Sequence, residues 1–345
     1  MCKRNLEKCL ITILLVLSFC ACGAKSAPSA ASGSGGSTIV VTDQAGRKVE
    51  IDGPVERIVS GYYISSSACI ALGLGDKLVG IEARASTRPI YALAAPNLLG
   101  LPNVGTAREF NLEACLALNP DLVILPLRLR DAADTLAELG VQAVLVNPES
   151  YEELLEMIAL IGEAAGAVET AERLLEYYEI STVGIGRTIA VLSYDDRPSV
   201  YMCGVSSYLT TAPGGMYQSV MIQLSGGKNA ANIDGSSWTE ISYEQLLAIN
   251  PEVMIIPAEA GYDVSDIKGD AQLQRLNAVL SGRVYKMPAD FEAWDSPVPS
   301  CMLGVRWLLH VLHEGLYSMD SLRNDAAAFY RDFYGININT ALIVK

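Results

Sequence analysis

Two stretches of this 345-residue chain repeat one another. Residues 111–126 read NLEACLALNPDLVILP and residues 242–257 read SYEQLLAINPEVMIIP. Aligned without a gap, seven of the sixteen positions are identical: Glu113/Glu244, Leu116/Leu247, Ala117/Ala248, Asn119/Asn250, Pro120/Pro251, Ile124/Ile255 and Pro126/Pro257. Unrelated segments of this length share about one identity at ordinary composition, so one structural unit is used twice. Each copy predicts a short helix that carries an acidic residue. Asn-Pro ends that helix, because the residue before proline is pushed out of the helical region. A continuous apolar run follows, residues 122–125 or 253–256. Such a run is a strand buried on both faces, as in a parallel sheet covered by helices. The loop after each strand then lies at the carboxyl edge of a sheet, where open α/β folds bind ligands. Two copies imply an α/β fold: two Rossmann-like α/β lobes with a ligand cleft between them.

The flanking segments extend this pattern. Residues 38–51 alternate as a β-hairpin, 57–60 and 77–81 read as strands around a helix at 65–72, and a helix at 131–139 leads to a strand at 143–146. That alternation predicts a parallel lobe. From Tyr151 onward, Leu154, Leu155, Ile158, Ile161, Ala165, Val168, Leu174 and Leu175 recur at helical spacing. Ser150 and Glu153 form a capping-box pattern at its start. One long helix joining the lobes is predicted; residues 182–194 read as its continuation or, at 188–192, as a strand. The expected divisions are 1–21 (signal), 22–37 (tether), 38–150 (first lobe), 151–194 (linking helix) and 195–345 (second lobe).

The start of the chain is a different kind of segment. Lys3, Arg4 and Lys8 precede the apolar run 9–19 and then Cys20-Ala21-Cys22-Gly23, the layout of an export signal. The run is too short for a comfortable membrane span. Ala-Cys-Gly resembles a bacterial lipobox, with Cys22 as the lipidated first residue of the mature protein. Residues 24–37, rich in Ala, Ser and Gly, read as a flexible tether. The formal net charge is −14, and loss of residues 1–21 would make it −16. That charge argues against nucleic acid or anionic lipid as the main partner. Cys69, Cys115, Cys203 and Cys301 have apolar neighbours and no metal-ligand spacing, so they read as buried thiols. His310 and His313, three apart on an apolar helix, read as packing residues rather than a metal site. No G-x-S-x-G, H-E-x-x-H or phosphate loop is present, so the chain is not expected to be an enzyme.

Taken together, the lipobox, the tether, Arg57-Ile58-Val59-Ser60, the doubled E-x-x-L-A-x-N-P-[DE] unit and the linking helix resemble the substrate-binding lipoproteins of iron-chelate and cobalamin ABC importers. The resemblance covers about residues 39–317, and residues 303–308 (LGVRWL) resemble the family's closing helix. It implies a rigid helical linker with small lobe closure, which favours helix over strand for residues 182–194. It implies a monomer without a cofactor, held by its lipid at the outer face of the cytoplasmic membrane. It also implies a permease dimer with its ATPase as partner. One acid per lobe, here Glu113 and Glu244, would pair with permease arginines.

Ligand residues are expected after strands and between the lobes. From the first lobe these are Tyr62 (with Tyr63 as a close alternative), Arg84, Arg128 and Arg130. From the second they are Tyr208, Trp238, Trp294 and Asp295, with Trp294 as a wall of the cleft. Arginines near a cleft in an acidic protein point to an anionic ligand, and a ferric siderophore offers both anionic oxygens and rings. Haem, cobalamin and a surface receptor role without transport are the alternatives. Arg84, Arg88 and Arg108 read equally as surface loop charges.

Overall fold

In the computed structural model, which describes residues 38–345, two four-stranded parallel sheets have the same topology. The expected signal, tether and lipidated Cys22 lie outside the described residues. A hairpin of β1 (Ile39–Thr42) and β2 (Lys48–Ile51) precedes β3 (Ile58–Ser60), α1 (Tyr63–Ala71), β4 (Leu78–Ile81), α2 (Pro89–Ala94), α3 (Leu112–Ala117), β5 (Leu122–Pro126), α4 (Arg130–Glu138) and β6 (Ala143–Val146). The first sheet runs β4-β3-β5-β6. Helices α5 (Tyr151–Ala165) and α6 (Val168–Ile189) follow. The second lobe contains β7 (Ser199–Met202), β8 (Thr210–Thr211), α7 (Tyr217–Leu224), β9 (Lys228–Asn229), β10 (Thr239–Glu240), α8 (Tyr243–Ile249), β11 (Val253–Ile256), α9 (Val264–Gly269), α10 (Asn277–Leu280) and β12 (Val284–Lys286). Its sheet runs β9-β7-β11-β12, the same order as the first. Helices α11 (Cys301–Leu312) and α12 (Met319–Tyr334) complete the body.

The repeated unit folds alike in both lobes. Asn111 and Ser242 cap α3 and α8, accepting from the backbone of Ala114 and Gln245. Both helices stop at an asparagine in the left-handed region, Asn119 and Asn250, each at φ 45°. Asparagine tolerates that conformation where most side chains do not, so it ends the helix together with the proline after it. Every residue of β5 and β11 is buried. Leu122, Ile124, Val253 and Ile255 face one core common to both lobes, while Val123 and Leu125, and Met254 and Ile256, face separate outer clusters. A one-residue slip in either strand would exchange those faces, so register is firmly set.

The linker differs from the single helix expected over 151–194. Gly166, at φ 72°, ends α5, and α6 begins at Val168. Glycine takes this left-handed cap without a Cβ penalty, while the apolar spacing continues on both sides of the break and conceals it. α5 packs on β1 and folds back against α6. Their close approach needs Gly162, whose Cβ would come within 2.4 Å of that of Ala171. α6, 22 residues long and thus about 33 Å at 1.5 Å per residue, continues onto α7 and α11 of the second lobe. It remains helical to Ile189, so no strand forms at 188–192. α12 returns to touch α1 as well as α11. The common core therefore joins Ile58, Leu122 and Val144 of one lobe to Val200, Val253 and Met287 of the other. A broad apolar junction of this kind restricts lobe motion.

Candidate ligand-binding cleft

Loops at the carboxyl edges of the two sheets enclose the cleft. Its inter-lobe part has a volume of about 520 Å³ and is lined by Tyr63, Arg84 and Arg88 from the first lobe and Ala258, Glu259, Phe291 and Glu292 from the second. A first-lobe part of about 390 Å³ is lined by Tyr62, Tyr63, Arg84, Arg88, Arg108 and Arg128. Tyr63, Arg84 and Arg88 belong to both, so the two parts are continuous.

Each of these side chains is placed by local structure. Tyr62 caps α1 with extended backbone, and its carbonyl accepts from the hydroxyls of Ser60, Ser65 and Ser66. Its ring meets Tyr63 edge-on at 5.4 Å. The Tyr63 hydroxyl crosses the cleft to donate to Ser296 at 3.1 Å. Burial pushes both phenols up, Tyr63 to about 12, so they act as neutral hydrogen-bonding groups. Arg84 sits in the left-handed region at φ 69°, a conformation uncommon for a residue with a Cβ and often found at functional sites. Arg88 lies 3.9 Å over the Tyr63 ring and forms an ion pair with Glu259 across the lobes. Arg128 is half exposed, 3.8 Å from Glu149.

Of the residues expected to bind ligand, Tyr62, Arg84 and Arg128 come together here, with Tyr63 beside them. The others do not. Arg130 is exposed at the first position of α4 and lines neither part of the cleft. Tyr208 donates to Asp270 at 2.7 Å and lines a separate recess with Tyr262. That hydrogen bond holds the Asp270 carboxyl below its usual range. Trp238 stands on the loop before β10, 36% exposed, outside the cleft lining. Trp294 is fully buried and is not a cleft wall: its Nε1 donates to the Tyr330 hydroxyl at 2.9 Å, within the common core. Asp295 is also buried, accepting from the Ala258 amide at 3.0 Å, and thereby ties the loop after β11 to the segment before α11. Arg88 and Arg108 read in the sequence as loop charges and were not chosen as ligand residues, and Glu259, Phe291 and Glu292 were not singled out. Glu259 alone carried a signal, since it occupies the position in the second repeat that Arg128 occupies in the first.

Buried acids surround the cleft. Burial pushes Asp295 up to about 6, assisted by the charge of Glu259 and opposed by the Ala258 hydrogen bond. Burial also raises Glu82 and Glu292. A carboxyl whose folded pKa exceeds its unfolded value of about 3.9 binds its proton more tightly when folded. Its contribution is present below the unfolded pKa and lost as pH rises through about 6. The urea midpoint of the protein is therefore expected to rise as pH falls from about 7 to about 5, and Asp295→Asn should flatten that slope. An unchanged slope in the variant would contradict the assignment.

Outside the cleft, Glu113 and Glu244 are exposed in the first turns of α3 and α8. A hydrogen bond from Ser242 holds the Glu244 carboxyl below its usual range. His310 and His313 contact the carbonyls of Tyr317 and Gly226 at 2.9 and 3.0 Å. Cys69, Cys115, Cys203 and Cys301 are buried free thiols. Among the described residues no cluster of three His, Cys, Asp or Glu side chains could hold a metal ion.

A family model described as "Periplasmic binding protein" matches residues 58–291, more than half of the chain. The chain is 25% identical over 265 residues to the uncharacterized ABC transporter substrate-binding lipoprotein YvrC of Bacillus subtilis, covering 75% of this chain and 81% of the relative. It is 24% identical over 322 residues to the molybdate-binding protein MolA of Haemophilus influenzae, covering 86% and 90%. A periplasmic solute binding protein from Veillonella parvula superposes with a TM-score of 0.77 at 28% identity, covering 89% of this chain and 95% of that one. These relatives are binding proteins, not enzymes. The chain belongs to the periplasmic binding protein family and is the substrate-binding protein of an ABC importer.

Proposed function

We propose that this chain captures an anionic ferric siderophore and delivers it to a permease dimer with its ATPase, anchored through Cys22 at the outer face of the cytoplasmic membrane. The observation that carries the ligand class is the grouping of Arg84, Arg108 and Arg128 with Tyr62 and Tyr63 on one side of a single cleft. Guanidinium groups pair with carboxylate and catecholate oxygens and stack on rings. The inter-lobe part, with Ile90, Phe291 and Val298 in its lining, suits an organic scaffold better than a bare ion. The test is calorimetric titration of the soluble body with a ferric tricatecholate, a ferric trihydroxamate, haem, cobalamin and molybdate. Tight binding of a ferric chelate supports the proposal. Tight binding of molybdate, haem or cobalamin alone overturns the ligand class and leaves the transport role standing.

Glu113 and Glu244 are assigned to permease docking, as equivalent acids on equivalent helices suit a pseudo-symmetric partner. Exposed ion pairs contribute only about 0–1 kcal/mol each, so charge reversal is the informative change. Glu113→Arg with Glu244→Arg should reduce uptake of labelled iron chelate in cells at least about tenfold, because like charges facing the permease are strongly disfavoured. Ligand affinity in solution should stay unchanged. Undiminished uptake would reject the docking assignment. Cys22→Ala should release the protein from the membrane fraction.

A further inference from the structure

The two copies of the repeat end in loops of opposite charge. Pro126-Leu127-Arg128 corresponds residue for residue to Pro257-Ala258-Glu259. Arg128 lines the first-lobe part of the cleft and Glu259 the inter-lobe part. Their surroundings repeat this polarity. Arg108 stands with Arg128, beside the fully hydrogen-bonded Glu82, whereas Glu292 stands with Glu259, and Arg84 borders both parts. Arg88 lies between the two ends, already paired with Glu259 and stacked on Tyr63.

Glu292 is the distinctive member of this set. It is 5% exposed on the wall of the inter-lobe part. The hydroxyls of Ser300 and Tyr334 both donate to its Oε2. Its Oε1 has no hydrogen-bond partner among the described residues. Glu82, the other buried carboxyl on the cleft, differs: Ser66 donates to its Oε2 and Tyr91 to its Oε1. One carboxyl is fully used by the protein and the other is half unused. A buried acceptor without a donor is unfavourable and calls for a specific explanation.

We infer that the cleft selects dipolar ligands, with anionic oxygens directed to Arg84, Arg108 and Arg128 and a hydrogen-bond donor, such as an amine or hydroxyl, received by Oε1 of Glu292. This rests on the reading of the cleft as the site of an anionic chelate and adds which end of that chelate enters the inter-lobe part. A ligand with anionic groups at both ends would meet Glu259 and Glu292 at one of them.

The test uses two iron(III) tris-catecholate complexes, identical except that one carries a primary amine on its backbone where the other has hydrogen. The wild-type protein should bind the aminated complex about tenfold tighter, the difference one added charged hydrogen bond makes. Glu292→Gln keeps a carbonyl oxygen for Ser300 and Tyr334 and puts an amide NH₂, a donor, in the place of the unpartnered Oε1. It should bring the ratio of the two affinities close to one, whatever its effect on the affinity for the amine-free complex. Arg128→Ala should weaken both complexes equally. The wild-type ratio needs no variant, so the inference remains open to refutation even where Glu292→Gln folds poorly. Equal binding of the two complexes by wild type overturns the inference and leaves the chelate reading intact, as does an undiminished ratio in a folded Glu292→Gln protein. Binding of neither complex overturns both.

Discussion

Replacing Arg108 and Arg128 together by alanine is expected to weaken binding of a ferric tricatecholate by about a hundredfold or more. Hydrogen bonds to charged groups contribute about 1.5–3 kcal/mol each, and two of them correspond to at least about two decades in Kd. Both arginines line the first-lobe part of the cleft. Arg128 keeps only a loose contact of 3.8 Å with Glu149, which leaves its guanidinium available to a ligand. Arg88 should matter less. It is already committed to Glu259 and to the Tyr63 ring, so a ligand gains its charge only by displacing that pair. Arg130→Ala serves as the control, because Arg130 lies outside the cleft lining and should leave affinity unchanged. Calorimetry at low and at about 0.5 M salt separates direct pairing from long-range attraction, since screening at high salt suppresses the latter. An affinity within about threefold of wild type in the double variant, with an unchanged melting temperature, would reject the arginine assignment.

The features legible in the sequence were those written locally. The doubled unit gave both the strand buried on two faces and its asparagine stop, because periodicity and turn chemistry act within a few residues. The same locality explains the failures. Gly166 breaks the linker inside an apolar pattern that continues across it, and a single glycine weighs little against such a pattern. Trp294 and Asp295 were expected at the cleft, but which ring of residues 291–297 faces it depends on how that irregular segment turns. Phe291 lines the cavity and Trp294 enters the core, where its partner Tyr330 is 36 positions away. Tyr208 is drawn to Asp270, 62 positions along the chain, and nothing near Tyr208 announces it. Arg84 and Arg88 precede α2 and Arg108 follows it, all in irregular segments, and local sequence does not distinguish a cleft arginine from a solvated one. Glu259 was reachable by a different route: extending the repeat alignment two residues past its closing proline pairs it with Arg128.

Trp294→Ala is expected to cost about 3–5 kcal/mol of stability, the range for deleting a fully buried large aromatic. Three features place it at the upper end. The ring is completely buried and stacks on Phe291 at 6.3 Å with planes 23° apart. Its indole N–H is the donor to the Tyr330 hydroxyl, so truncation leaves that group short of a partner within the core. The Trp294 backbone is pressed against α11 so closely that a Cβ on Gly304 would lie 2.4 Å from its carbonyl oxygen, leaving little room for the segment to collapse into the void. The change should appear as a fall in the urea midpoint and a melting temperature lower by on the order of 10 °C. Trp294→Phe, which keeps an aromatic ring but loses the donor, should cost less. Ligand affinity should also fall in Trp294→Ala, because Phe291 loses the ring that supports it and Phe291 lines the cleft. A destabilisation below about 1 kcal/mol, well short of a buried-aromatic deletion, accompanied by loss of binding, would mean that the ring is not held in the core. Trp294 would then be the cleft wall that the sequence first suggested.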